Sequence, residues 1–468
     1  MDIEQAHNLS LEEMDKQSFL HPYTALKPHL ESGPNIIKTG SGVRLTNAAG
    51  KEYIDGMAGL WCVNIGWGHQ EVVDAITEQA ENLAYYHSFF SMGTEAPIRL
   101  ADRILRLVPG NMSKVFFGNS GSDANDTNVK LVHYYNNLRG KPEKKKIISR
   151  KRAYHGVTVA SASLTGLPSI HTAFDLPLPT VLHTETPHYW RNAEPGMSER
   201  DFSKWCAQKL EEMILAEGPD TVAAFIAEPV MGAGGVVIPP EGYFPEIQKV
   251  LRKYDMLMIA DEVITGFGRT GNWFGSQTYD IEPDIITIAK GLTSGYVPMS
   301  GSVISDEIWQ VIMEGAPGVA YFAHGYTYSA HPVAAAAAMA NIDIMERLDL
   351  PAKCAKVGTY FQRRLREVAA DHPLVGEVRG EALLAAVELV KDKETKESFD
   401  PALLVGPTLS KYTIEEGLII RALPLSDAVS FSPPLVISEA EVDEALVLFK
   451  RALDRVTDKL IEDGAWKP

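Results

Sequence analysis

Between about residue 70 and residue 330, stretches with helical spacing of apolar residues alternate with short aliphatic runs: KVFFG, KIISR, VAAFIAEPV, MLMIADEV, IITIAKG and SGSVISD. Runs this short, rich in β-branched residues and bounded by turn residues such as Asp255 and Pro283-Asp284, read as buried strands. Alternation with helices makes them a mostly parallel sheet covered on both faces, an α/β architecture. Open sheets of this kind place their ligands beyond the carboxyl ends of the strands.

Two of the runs end in a single charge at that edge, Asp261 in MLMIADEV and Lys290 in IITIAKG. A lysine desolvated there has a lowered pKa, and its neutral amine attacks a carbonyl as a Schiff-base nucleophile. Taken alone, a lysine such as Lys290 is more often a surface or salt-bridged residue, and an acid such as Asp261 is commonly a carboxylate that caps the next turn.

After KVFFG comes GNSGSDANDTNVKLVHYY, a small-residue turn that runs into a helix with Ala124, Thr127, Leu131, Tyr134 and Leu138 on one face. Glycine lets backbone N–H groups approach an anion, and a helix N-terminus offers free donors and partial positive charge. Ser120 and Ser122 are equally plain helix caps. The turn is neither GxGxxG nor GxxxxGK[ST], so dinucleotide and nucleoside triphosphate sites lose their usual support. A cofactor with one phosphate, an aldehyde for Lys290 and a ring nitrogen for Asp261 is pyridoxal phosphate (PLP). At about 3 Å and an effective dielectric of about 20, Asp261 would hold the ring proton with roughly 5 kcal/mol.

The remaining composition excludes more than it specifies. A chain of 468 residues outgrows a single core, and 45% hydrophobic content fills two domains. A formal charge of -17 argues against nucleic acid. The basic run Lys141 to Arg152 reads as a solvated turn with its flanking strand. The acidic start MDIEQAHNLSLEEMDKQS is no secretory signal, and the alanine run after Pro332 is too short to span a membrane. Cys62, Cys206 and Cys354 lack metal or CxxC spacing; no metal site is expected, and a reduced cytoplasm fits them.

Outside the alternating stretch, VRLTNAAGKEYIDGMAGL reads as a hairpin around Asn47 to Gly50. Past about residue 335, long helices surround LLAAVELV, LIIRAL and SFSPPLVI, as in a smaller α+β domain. Ser438 and Glu441 form a capping box for a last helix with Val442, Ala445, Leu446, Phe449, Leu453, Val456 and Leu460 at helical spacing.

In this order, GNSGSDAND, AYHG, AAFIAEPVMGAGG, IADEVITGFGRTG, IAKGLTSG and HGYTYSAHP resemble the class III PLP-dependent aminotransferases over nearly the whole chain. DGMAGLWCVNIGWGH and HPLVGEVRGEALLAAVELVKDK look most like the ω-amino acid or amine:pyruvate branch. The resemblance implies a fold-type I transferase: an N-terminal arm with part of the small domain (1–65), a large PLP-binding domain (66–332) and a C-terminal small domain (333–468).

By the same resemblance, Lys290 binds the cofactor covalently and shuttles the proton, while Asp261 pairs with the ring nitrogen. Val263 and Tyr154 sandwich the ring. Gly121 and Ser122 hold the phosphate, joined by Thr327 from the other subunit of a homodimer. Glu228 orders the cofactor's edge; apart from the resemblance, His155 reads as support for the AYHG loop rather than as a base. Trp61, Phe89, Tyr154 and Ala233 would wall the substrate pocket, and Arg421 would grip a carboxylate. Asp123 replaces the usual glutamate, Ile264 stands where other branches carry glutamine, and ALPLSDAVSFSPPLVI is a longer connection than expected.

The expected reaction moves an amino group from an amine or ω-amino acid to pyruvate or a similar keto acid. Alternatives on the same scaffold are an aminomutase, a decarboxylating aminotransferase or a catalytically silent binding protein. The sequence leaves the donor open among β-alanine, taurine, putrescine and arylalkyl amines.

Overall fold

The computed structural model describes residues 9–315 and 321–467, so the first eight residues of the acidic N-terminal segment lie outside the described residues. Strands β1 (Ile37–Ser41), β2 (Arg44–Asn47) and β3 (Glu52–Asp55) form an antiparallel meander. The expected hairpin is closed by Asn47, whose side-chain oxygen accepts from the N–H groups of Ala49 and Lys51 at 3.1 and 2.9 Å.

The centre is a seven-stranded sheet of β4 (Met112–Gly118), β5 (Lys146–Arg150), β6 (Val181–Thr184), β7 (Val222–Ala227), β8 (Leu257–Asp261), β9 (Ile285–Ile288) and β10 (Ser300–Ser305). Its order is β4-β10-β9-β8-β7-β5-β6, and only β10 runs against its neighbours. The side chains of β7, β8 and β9 are buried throughout because both faces are covered. Ile148, Phe225 and Met258 pack under the helices Glu199–Glu217 and Tyr243–Lys253. Ile147, Ile226 and Ile259 pack under Gly121–Leu138 and Asp306–Glu314. Strand β6 was not anticipated: VLHT is short and half polar, and its place comes from parallel pairing with β5.

Two expectations need correction. The basic run is not simply a solvated turn. Lys144 is buried and donates to the carbonyl oxygens of Val222, Tyr254 and Asp255 at 3.0, 2.9 and 2.8 Å. Arg150, also buried, donates to that of Glu228 at 2.7 Å. These cations bind carbonyls that chain folding delivers from elsewhere.

LIIRAL is not one strand either. β13 (Leu418–Ile419) pairs in parallel with β3, while β14 (Arg421–Ala422) joins a second antiparallel sheet in the order β11-β12-β15-β14. There β11 is Val375–Glu381, β12 is Leu384–Leu389 and β15 is Ala428–Phe431. SFSPPLVI leaves the sheet after Phe431, because Pro433 and Pro434 have no N–H to donate. The last helix, Glu439–Glu462, opens on the expected capping box and buries the expected stripe.

Candidate active site

The carboxyl ends of β7, β8 and β9 open into a cavity of about 640 Å³. Helix Gly121–Leu138 points its N-terminus at it. Ser120 is the cap: its Oγ accepts from the Asp123 N–H at 3.2 Å, and the Asp123 carboxylate accepts from those of Asn119 and Ser120. Asp123 thus does a glutamate's work with a shorter side chain. The N–H groups of Gly121 and Ser122 belong to the first turn, which has no intrahelical partners, and both residues line the cavity. A Cβ on Gly121 would come within 3.0 Å of Val263, so glycine keeps this approach open. The Ser122 hydroxyl accepts from the Val157 N–H at 3.1 Å and ties the AYHG loop to the helix.

Asp261 ends β8, buried to 4% exposure. One carboxylate oxygen accepts from His155 Nδ1 at 2.7 Å and from Asn125 Nδ2 at 2.8 Å, and the other accepts from the Val263 N–H at 3.1 Å. Asn125 Oδ1 accepts from Thr287 Oγ1 at 2.8 Å and from Asn128 Nδ2 at 3.2 Å. His155 therefore orients the acid directly, beyond the loop support expected of it. Asn125, Asn128 and Thr287 were missed in the sequence; their signal was two asparagines at i and i+3 on the buried face of a helix.

Lys290 lies just past β9, held at φ 45° in the left-handed region at the start of a 3-10 turn. Burial lowers its pKa, against the opposing pull of Cys62, Asp261 and Glu228. Its Nζ sits 5.9 Å from the Trp61 ring centroid, and the Arg421 guanidinium sits 5.7 Å from the same ring. Both side chains thus lie within about 6 Å of one aromatic ring. Burial lowers the Arg421 pKa too, opposed by Tyr154 and Tyr23.

Glu228 accepts from the N–H groups of Tyr154 at 3.0 Å and Gly232 at 2.8 Å, and burial raises its pKa. It holds the two loops that carry Tyr154 and Ala233. Val263, Tyr154, Ala233 and Trp61 complete the cavity wall, together with Ile264 and with Tyr23, which sequence reasoning missed. Tyr23 comes from the polar N-terminal segment, where only scattered aromatics hinted at it.

Phe89 and Thr327 are not brought to this cavity within one chain. Phe89 lines a separate cavity of about 470 Å³ with Phe322 and Gly325. The carbonyl oxygen of Thr327 accepts from the Tyr85 hydroxyl at 2.6 Å on the same outer face. Segments 88–92 and 321–329 pack on each other, which carries both residues away from Lys290.

The residues fit a compact cofactor with an aldehyde, a basic ring nitrogen and a phosphate. An amine of lowered pKa, a preorganised buried carboxylate and a helix N-terminus open at a glycine converge on one cavity.

Comparison with known proteins agrees. The family model described as aminotransferase class-III matches residues 28–453. The chain is 51% identical over 455 residues to a diaminobutyrate--2-oxoglutarate transaminase of Halomonas elongata, covering 96% of this chain and 97% of that one. It is 46% identical over 443 residues to a putrescine--pyruvate aminotransferase of Pseudomonas aeruginosa, covering 94% and 95%. Among solved structures, an omega transaminase from Pseudomonas jessenii in complex with PMP superposes with a TM-score of 0.94 at 48% identity, covering 96% of this chain and 99% of that one.

Proposed function

Because the chain belongs to the class III aminotransferases, fold-type I enzymes that use pyridoxal phosphate, we propose that it passes an amino group from an amine or ω-amino acid to pyruvate or a similar keto acid. The observation that carries this reading is Arg421. Its guanidinium stands over Trp61, and among the described residues its acidic neighbours are the phenols of Tyr154 and Tyr23 rather than a carboxylate. A free guanidinium in a largely apolar pocket suits a carboxylate in one half-reaction and can be displaced by a neutral amine substituent in the other. With Lys290 committed to the cofactor, Arg421 is the one guanidinium among the described residues lining the cavity, which favours a monocarboxylate acceptor over a dicarboxylate.

When bound, PLP supplies an aldehyde that captures amines and a protonated ring that accepts electrons from the substrate carbon. The chain's residues then divide the work. Asp261, braced by His155 and Asn125, keeps the ring nitrogen protonated. Gly121 and Ser122 take the phosphate at the helix N-terminus, and Val263 and Tyr154 flank the ring. Lys290, with its lowered pKa, accepts and returns the proton at the substrate carbon.

We also read the working form as a homodimer in a reducing, cytoplasmic compartment. Phe90, Tyr321 and Tyr328 are 80%, 61% and 59% exposed around Phe89 and Thr327, an apolar area that suits a second copy of the chain. A second copy would bring Thr327 to the phosphate end and Phe89 to the substrate end.

The test is a panel of amine and ω-amino acid donors, each assayed with pyruvate, with 2-oxoglutarate and with no keto acid. Transfer to pyruvate is expected. Turnover with 2-oxoglutarate alone would overturn the acceptor, and turnover without any keto acid would indicate an aminomutase.

A further inference from the structure

The C-terminal sheet carries two arginines in one transverse row. Arg421 of β14 pairs with Ser430 of β15, Ser430 with Ala386 of β12, and Ala386 with Arg379 of β11. Residues directly opposite in antiparallel strands point to the same face. That face is turned to the cavity, since Ala386 packs in one cluster with Trp61, Ala233 and Ile264.

The ends of the row behave differently. Arg421 stands in the cavity without a carboxylate partner among the described residues. Arg379 is 6% exposed and has every nitrogen engaged. Its Nε and Nη2 donate to the carbonyl oxygen of Gly235 at 2.8 and 2.5 Å, and its Nη1 donates to Glu377 and Glu388 at 2.6 Å each. Glu388, fully buried, also accepts from Arg191 Nε and Nη2 at 2.9 and 2.7 Å. Arg379 therefore has no alternative partner and no room to swing.

What it grips is the loop that carries Ala233. Arg152 holds the carbonyl of Gly234 through Nε at 2.9 Å, and Glu228 holds the N–H of Gly232 at 2.8 Å. Ala233 is thus pinned on both flanks. The loop also lies backbone against backbone, for a Cβ on Gly234 would meet the Arg152 carbonyl oxygen at 2.1 Å.

We propose that Arg379 is a positioning residue for substrate choice: with Arg152 it fixes how far the Gly232–Gly235 loop stands from Trp61, and so the space Ala233 leaves for the donor's substituent. The movable arginine of the row binds the substrate's charge, and the fixed one sets the size of the pocket beside it. This inference rests on the transaminase reading above.

The test uses the holoenzyme with Arg379→Lys, which keeps the charge but loses the fork on Gly235, and Arg379→Gln, which loses both. PLP absorbance and unfolding temperature report the fold. Steady-state kinetics with pyruvate compare a compact alkyl amine with an arylalkyl amine. Arg379→Lys should keep the absorbance and fold while shifting the ratio of the two kcat/KM values about tenfold or more, chiefly through KM, with Arg379→Gln moving further the same way. A ratio held within about twofold would overturn the proposal. If Arg379→Gln does not fold, Arg379→Lys decides. If neither gives folded holoenzyme, Arg379 holds the fold rather than the pocket, and the proposal fails. Absence of amine transfer by the unaltered enzyme would count against the transaminase reading instead.

Discussion

His155 and Asp261 are joined inside the protein, Nδ1 donating to Oδ2 over 2.7 Å with both side chains shut off from solvent. A hydrogen bond to a charged group contributes about 1.5–3 kcal/mol, and Asp261 keeps only its Asn125 and Val263 donors without it. His155→Ala should therefore weaken PLP retention by about ten- to a hundredfold. Titration of the apoenzyme with PLP, followed by absorbance, measures this, and an unchanged Kd would show that the histidine serves only its loop.

Burial lowers the Lys290 pKa from its ordinary value of 10.5. The neutral amine is the nucleophile, so the rate at which apoenzyme captures PLP should rise with pH and level off. The midpoint should lie below that of a free lysine. A midpoint at or above 10.5 would mean that the neighbouring carboxylates outweigh burial. Lys290→Ala should abolish covalent capture and steady turnover together.

Gly232 has almost no space around it. A Cβ there would lie 2.2 Å from Trp61 Cζ3 and 2.5 Å from Ile264 Cδ1. Gly232→Ala should push both side chains into the cavity and cost about 1–3 kcal/mol by overpacking. Thermal unfolding reads the cost, and kcat/KM for arylalkyl amines should fall more than for small ones. An unaltered unfolding temperature would show that the wall yields freely.

Thr327 can be placed by complementation. Thr327→Ala chains, expected to be weakened if Thr327 serves the phosphate, are mixed with Lys290→Ala chains under conditions that exchange subunits. If Thr327 serves the partner's cavity, the hybrid contains one intact site and activity returns. Mixtures no more active than the Thr327→Ala protein alone would place Thr327 in the cavity of its own chain.

Much of the site was legible because its signals are short in sequence. Asp261 and Lys290 are marked by the short aliphatic runs they close, and such a run is read from residues adjacent in the chain. The turn before Gly121–Leu138 is marked by a cap and a helix start within a few residues. Asn125 and Asn128 were harder, since a buried amide looks like a surface one until Thr287 and Asp261 arrive from other strands.

The sequence by itself therefore determined the alternating sheet, the capped helices and the acid and lysine at neighbouring strand ends, all of which rest on local periodicity and backbone chemistry. Only the tertiary structure decided what depends on partners distant in the chain. It turned Lys144 and Arg150 inward onto backbone carbonyls, and it split LIIRAL between two sheets. It carried Phe89 and Thr327 to an outer face. It also set Arg379 and Arg421 in one row, because sheet register aligns residues that no pattern in the sequence relates.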